Sequence, residues 1–318
     1  MDNKEIYKKT LRFSIRRLLW DIFAFIVLVA ISLIGFFIAE KTTNQGLIGL
    51  GIGVIVGLIA LAIILRFVSY SYKAGQIAMM TKAITDGKLP EDVIGEGKKI
   101  VKERFSTVAA YFAVTGVIKG IFNQIGRGIT AVGEAVGGDT GGAVGSTISS
   151  VIQTIVAYLC DCCLGWVFYR KDEKATKATC EGAVLFFKHG KTLAKNLGRV
   201  FGISILSFIV IGGVFFGISY LIMHCFPDAF ATLGREIAEI GSDVPAWVSD
   251  ANTLTIVCAA FCGIFFWSVL HSTFVRPFIL VGVLRNYINS GIKDIPDEKA
   301  FEELDSKSDK FKKLHAEL

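Results

Sequence analysis

Residues 18–39 read LLWDIFAFIVLVAISLIGFFIA, a run of 22 positions with Asp21 as its one charged residue. Coiled as a helix rising 1.5 Å per residue, it spans the ~30 Å hydrocarbon core of a bilayer. Four more runs of this kind follow, at residues 46–65, 148–169, 200–223 and 253–275. A sixth, at 105–125 (FSTVAAYFAVTGVIKGIFNQI), is diluted by Gly116, Lys119 and Gly120. The chain as a whole agrees: 53% of its 318 residues are hydrophobic and 19% charged, with a mean hydropathy of +0.56. That balance is too apolar for a soluble domain of this length.

Charge supplies sidedness, because cytoplasmic loops carry an excess of Lys and Arg. Between six spans the Lys plus Arg counts run 6, 1, 8, 2, 8, 1 and 8 from end to end. The alternation places both termini inside. The expectation is therefore an all-α polytopic membrane helix bundle of six transmembrane helices, N-in and C-in, with amphipathic interfacial helices. Residues 1–298 form the membrane domain and 299–318 a charged cytoplasmic tail. Seventeen residues rich in Lys and Arg precede the first run and no small-x-small cleavage site follows it, so this helix is expected to stay rather than be cleaved as a signal peptide. Its basic flank, Lys8, Lys9, Arg12, Arg16 and Arg17, suits the headgroups of anionic lipids. A cell membrane is the expected location.

Glycine marks the close packing. Gly49, Gly53 and Gly57 recur every fourth residue and present a flat groove to another helix, either within the chain or across a homo-oligomer interface. Residues 126–145 are too rich in glycine for an autonomous helix, and either dip into the outer leaflet or form an exposed loop. Between 226 and 247 the apolar residues Phe226, Phe230, Leu233, Ile237, Ile240, Val244 and Trp247 keep helical spacing. That stripe suits an amphipathic helix lying in the outer interface, capping the bundle or pairing with a neighbour. On the inner side, Asp86-Gly87 with Pro90 and Ser290-Gly291 with Pro296 look alike. They mark either a diverged repeat or two unrelated helix stops.

Charged groups inside spans are the natural pointers to function, since each costs at least ~2.5 kcal/mol unless hydrated or paired. Counted from Arg170, Asp161 lies ~13 Å into the core, and His271, counted from Arg276, ~8 Å, at 1.5 Å per residue. Lys119 approaches from the outer part of the third run. The three outline a candidate pathway; the alternative for Asp161 is a neutral, buried carboxyl that fixes packing. Cys160, Cys162 and Cys163 point in different directions on one helix, so packing is the expected role and no metal or cofactor is assigned. Five of the seven cysteines fall inside spans, which argues against a disulfide framework.

Enzyme signatures are missing. His189-Gly190-Lys191-Thr192 ends like a phosphate loop, but Leu185 stands where its first glycine belongs. The net charge of +6 follows from topology and implies no nucleic-acid partner. Two segments, YLCDCCLGWVFYRKDEKATKATCEGAVLFFKHGKTLAKNLGRVFGISILSF and WSVLHSTFVRPFILVGVLRNYI, together about a quarter of the chain, resemble the later helices of choline-transporter-like proteins. The chain is far shorter than members of that family and lacks their large extracellular domain, so the resemblance transfers no substrate or binding residue. The functional expectation is a transporter or channel-like protein for an ion or small solute; the alternative is a non-transporting membrane organiser, sensor or assembly subunit.

Overall fold

The computed structural model describes residues 1–137, 156–240 and 245–318, and every element among them is helical. In chain order the helices are α1 (Asn3–Thr43), α2 (Gly46–Asp86), α3 (Val93–Arg104), α4 (Val108–Gly137), α5 (Val156–Tyr169), α6 (Ala175–Ser207), α7 (Gly213–His224), α8 (Pro227–Ile240), α9 (Ala251–Leu270), α10 (Arg276–Lys293), α11 (Glu298–Asp305) and α12 (Asp309–His315). Single π-helical turns, Phe208–Gly212 and His271–Val275, join α6 to α7 and α9 to α10. The chain divides into two units, Met1–Leu197 with Pro277–Leu318, and Gly198–Arg276.

Four helices are long and apolar enough to cross a membrane: Asn3–Thr43, Gly46–Asp86, Val200–His224 and Ala251–Lys293. They contain four of the six expected spans. The other two take different forms. The run at 105–125 is broken, because Phe105 caps α3 in an extended conformation and the axis bends by 80° between Val93–Arg104 and Ala109–Gln124. Of the run at 148–169, the first eight residues lie outside the described ones. The remainder is α5, and none of its described residues is exposed. A span facing lipid leaves its apolar side chains open, as α1 and α2 do with Ile26, Leu33, Phe37, Ile52 and Ile55. In α5 the side chains of Leu164, Trp166 and Val167 are enclosed by protein instead.

In the first unit α1 and α2 form an antiparallel hairpin. Asn44 closes α1 in the left-handed conformation, and Glu40 accepts a hydrogen bond from the Gly46 amide at 2.9 Å. The glycine groove is filled from within the chain. A Cβ on Gly53 would stand 2.8 Å from the Ser32 Cα, one on Gly57 2.5 Å from Leu28 Cδ1, and Gly49 lies against Gly35 and Ala39. Beyond the hairpin α1 and α2 continue into a helical body. There Gln76 donates to Ser14 Oγ at 3.0 Å and to the Thr10 carbonyl at 3.3 Å, and Phe13 packs beside Gly75 and Gly97. Helix α5 runs through this body, with Gly165 against Thr81 and Leu284 and Trp166 against Gly291.

The two resembling inner stops therefore differ in kind. Gly87 terminates α2 with φ +70°. Gly291 sits inside α10, where a side chain would collide with the Trp166 ring and Leu185. One glycine is needed for its backbone and the other for its lack of bulk.

The tail expected at 299–318 is folded. Phe301, Leu304, Phe311 and Leu314 bury themselves with Ile121 of α4 and Cys180, Ala183 and Val184 of α6. Helix α4 itself continues through Gly126, Gly128 and Gly133 to Gly137, further than glycine propensity suggests, and the rest of the stretch 126–145 lies outside the described residues. In the second unit α8 folds back on α9. Gly234 meets the Val248 carbonyl and Leu254, while Phe226 and Trp247 stay exposed, so the amphipathic helix caps its own hairpin.

Candidate functional site

Asp161 is 3% exposed, and its Oδ1 lies 2.7 Å from the Lys73 Nζ. The partner fixes its level. Lys73 stands seven residues past Arg66, the residue that ends the apolar half of α2, hence about 10 Å beyond that boundary at helical rise. Asp161 thus packs beside the part of α2 that follows Arg66. An isolated carboxylate here would be costly to desolvate, and the ammonium removes most of that cost. Lys73 keeps a third of its side-chain surface, so the pair has a protein side and a solvent side.

A second polar layer borders this pair. Ser69 donates to Asp21 at 3.3 Å, and the Arg17 guanidinium approaches the same carboxylate at 3.9 Å. Tyr111, buried at 5% exposure, packs on Tyr70 and Phe105 with ring centroids 5.1 and 5.5 Å apart. Deeper in the body Glu181, 2% exposed, accepts from Trp166 Nε1 at 3.0 Å and from Arg170 Nε and Nη2 at 2.9 and 3.1 Å. Arg170 also reaches Glu173, whose carboxyl is held below its usual range by the hydrogen bond from the Lys177 ammonium. The sequence offered one signal for Glu181, an acid interrupting the apolar stretch CEGAVLFF. For Lys73 it offered none that separates this lysine from its basic neighbours. Cys163 donates weakly to the Thr179 carbonyl at 3.6 Å, in keeping with a packing role.

His271 lies in the second unit, in the π-turn that joins α9 to α10. Its Nε2 is 3.2 Å from Ser204 Oγ, and its ring leans on Trp267 with centroids 5.3 Å apart. Trp267 Nε1 donates to Ser207 Oγ at 3.1 Å and stacks edge-on against Phe208 of the other π-turn. Gly263 lets the two helices close, since a Cβ there would stand 2.8 Å from the Gly212 carbonyl. Each π-turn widens its helix locally, a feature that recurs at functional sites. An imidazole and a hydroxyl in hydrogen-bond contact can pass a proton.

The three residues of the expected pathway thus have separate surroundings. Asp161 pairs with Lys73 and His271 with Ser204. Lys119 is exposed on α4 and has no ion-pair partner among the described residues. One turn beyond it, Gln124 accepts from Ser308 Oγ at 2.9 Å and from the Lys310 amide at 3.2 Å.

No protein family, no curated protein and no solved structure matches this chain. The choline-transporter-like resemblance has no support from those comparisons, and the residues must speak through their geometry.

Proposed function

We propose that this is a four-span membrane protein that organises or anchors a cytoplasmic helical body, rather than a transporter. The observation that carries the proposal is the Lys73–Asp161 pair. The acid expected to line a membrane pathway is held in a protein core by a lysine well past the apolar half of α2. The four crossings are residues 18–39, 46–65, 200–223 and 253–275. Both termini and everything from Arg66 to Arg199 lie on the cytoplasmic side. Lys and Arg then divide 32 to 2 between the faces, against 30 to 4 for six spans. The Gln124–Ser308 bond supports the same topology, because a six-span chain puts Gln124 at the outer end of a span and Ser308 inside.

Transport is the second reading, and the polar cluster of Ser204, Ser207, Trp267 and His271 at two π-turns favours it. Purified protein in liposomes separates the two. An organiser gives no flux above protein-free vesicles for a panel of protons, alkali cations and small organic cations. Flux abolished by His271→Gln, with expression and melting temperature unchanged, overturns the proposal.

A further inference from the structure

Just inside the membrane boundary, α1 and α3 lie side by side over α2 and leave a cationic, aromatic cleft between them. Its floor is Tyr72, 8% exposed. Lys98 of α3 stands 4.5 Å above the ring centroid, with its Nζ 3.4 Å from the phenol oxygen. From α1, Trp20 and Arg16 also act on this phenol, Arg16 through its positive field. Burial alone raises the Tyr72 phenol, yet the Lys98 hydrogen bond and the positive charges around it hold it below its ordinary value.

The rim is basic and uncommitted. Arg12 and Arg16 lie one turn apart on the exposed face of α1, and Lys98 and Lys102 one turn apart on the exposed face of α3. Among the described residues none of the four is in an ion pair, and Lys98 donates to the Tyr72 hydroxyl. The acids nearby are engaged elsewhere: Glu5 with Lys9 at 3.2 Å, Glu96 with Lys82 at 3.3 Å and Glu103 with Lys99 at 3.9 Å. Depth decides what fills the cleft. Arg16 and Trp20 flank Leu18, where the apolar run of α1 begins, and Tyr72 stands six residues past Arg66, about 9 Å outside the core at helical rise. That is the headgroup layer, where basic residues attract anionic lipid and an indole sits at the acyl boundary.

We infer that the cleft formed by Arg16, Trp20, Tyr72 and Lys98 binds the phosphate headgroup of an anionic glycerophospholipid, whose acyl chains run up along α1. This rests on the four-span reading for its depth and names a partner for the anchored body. Arg16 and Lys98 hold the phosphate oxygens, and Trp20 covers the glycerol.

The test is native mass spectrometry of the detergent-solubilised full chain titrated with phosphatidylglycerol or with phosphatidylcholine. Wild type is expected to bind phosphatidylglycerol more tightly. Arg16→Gln with Lys98→Gln weakens that binding about 30-fold, each basic residue near the headgroup supplying a factor of about five, and leaves phosphatidylcholine binding unchanged. Lys171→Gln with Lys174→Gln, which removes the same charge from an exposed turn elsewhere in the body, leaves both unchanged. Equal affinity for the two lipids in wild type, or an equal loss in the Lys171/Lys174 variant, overturns the site. Competition by glycerol 3-phosphate at the lipid's own concentration overturns the lipid assignment in favour of a soluble phosphate ester. Should the Arg16/Lys98 variant not fold, Arg12→Gln with Lys102→Gln on the rim carries the same expectation. Binding in detergent does not depend on which face of a bilayer the cleft occupies, so failure here is distinguishable from failure of the topology.

Discussion

Gln124 of α4 and Ser308, the residue that caps α12, are joined by a 2.9 Å hydrogen bond across 184 positions of sequence. The bond brings the far end of a suspected span to the folded C-terminal segment. With Cys225 replaced by Ser, cysteines at 124 and 308 are expected to be bridged by a short bis-maleimide. Both should resist an impermeant thiol reagent applied outside intact cells, while a cysteine at Asn44 reacts. Labelling at 124 from outside sinks the four-span topology.

The α1–α2 hairpin predicts an asymmetric response to one substitution. Gly53→Leu drives a side chain into the Ser32 backbone, 2.8 Å from the Cβ position, whereas a Cβ on Gly51 meets nothing within 4 Å. Overpacking typically costs about 1–3 kcal/mol, and more where backbone blocks the way. Thermal melts in detergent should show a clear loss for Gly53→Leu and none for Gly51→Leu. Equal melting temperatures mean that the two helices do not pack as described.

Lys73→Met removes the ammonium that pairs with the buried Asp161. Breaking a buried pair costs about 3–5 kcal/mol, and the solvent side of Lys73 reduces that to about 2–3 kcal/mol here. Adding Asp161→Leu should recover much of the loss, since no charge then remains to be desolvated. A double variant as unstable as Lys73→Met alone points to a role for Asp161 beyond pairing.

Cys180 offers a pH-dependent readout. Burial, with a smaller contribution from the carboxylates of Asp305 and Glu181, pushes its thiol up to about 12 from 9.0. The folded chain keeps this proton through a range in which the unfolded chain loses it. Its stabilising contribution is therefore complete below pH 9 and falls as pH rises from 9 toward 12. Thiol titration near neutral pH should find Cys225 reactive and Cys180 silent until denaturant is added. Early reaction of Cys180 would show that α11 and α12 do not cover it.

Hydropathy made the four long apolar helices legible, because the apolar halves of α1 and α2 expose large hydrophobic side chains on their surface. It could not say what surrounds α5, since an apolar run is the same whether lipid or protein covers it. Trp166, Val167 and Leu164 could have faced either. The weak run at 105–125 follows from the alternation of basic segments once 148–169 is taken as a span, and leaving both out keeps that alternation as well. Gly49, Gly53 and Gly57 announced a close contact, but nothing in their spacing named Ser32, Leu28 and Gly35 across the turn. Asp161 was visible as a charge out of place. Its partner was not, because Lys73 lies 88 positions away and only the packing of α5 beside α2 brings the two together.

Helices α1 and α2 each run 41 residues without a break, about 60 Å at helical rise, so each joins its apolar half to the helical body as one rod. A helix fits a thinner or thicker membrane by tilting. Clamped to each other at Gly35 and Gly53, these two must tilt together, and the rotation arrives at Phe13, Gln76 and Lys73 without a joint to absorb it. A hairpin that spans a bilayer in this way passes any tilt of its apolar half directly to the helices it carries.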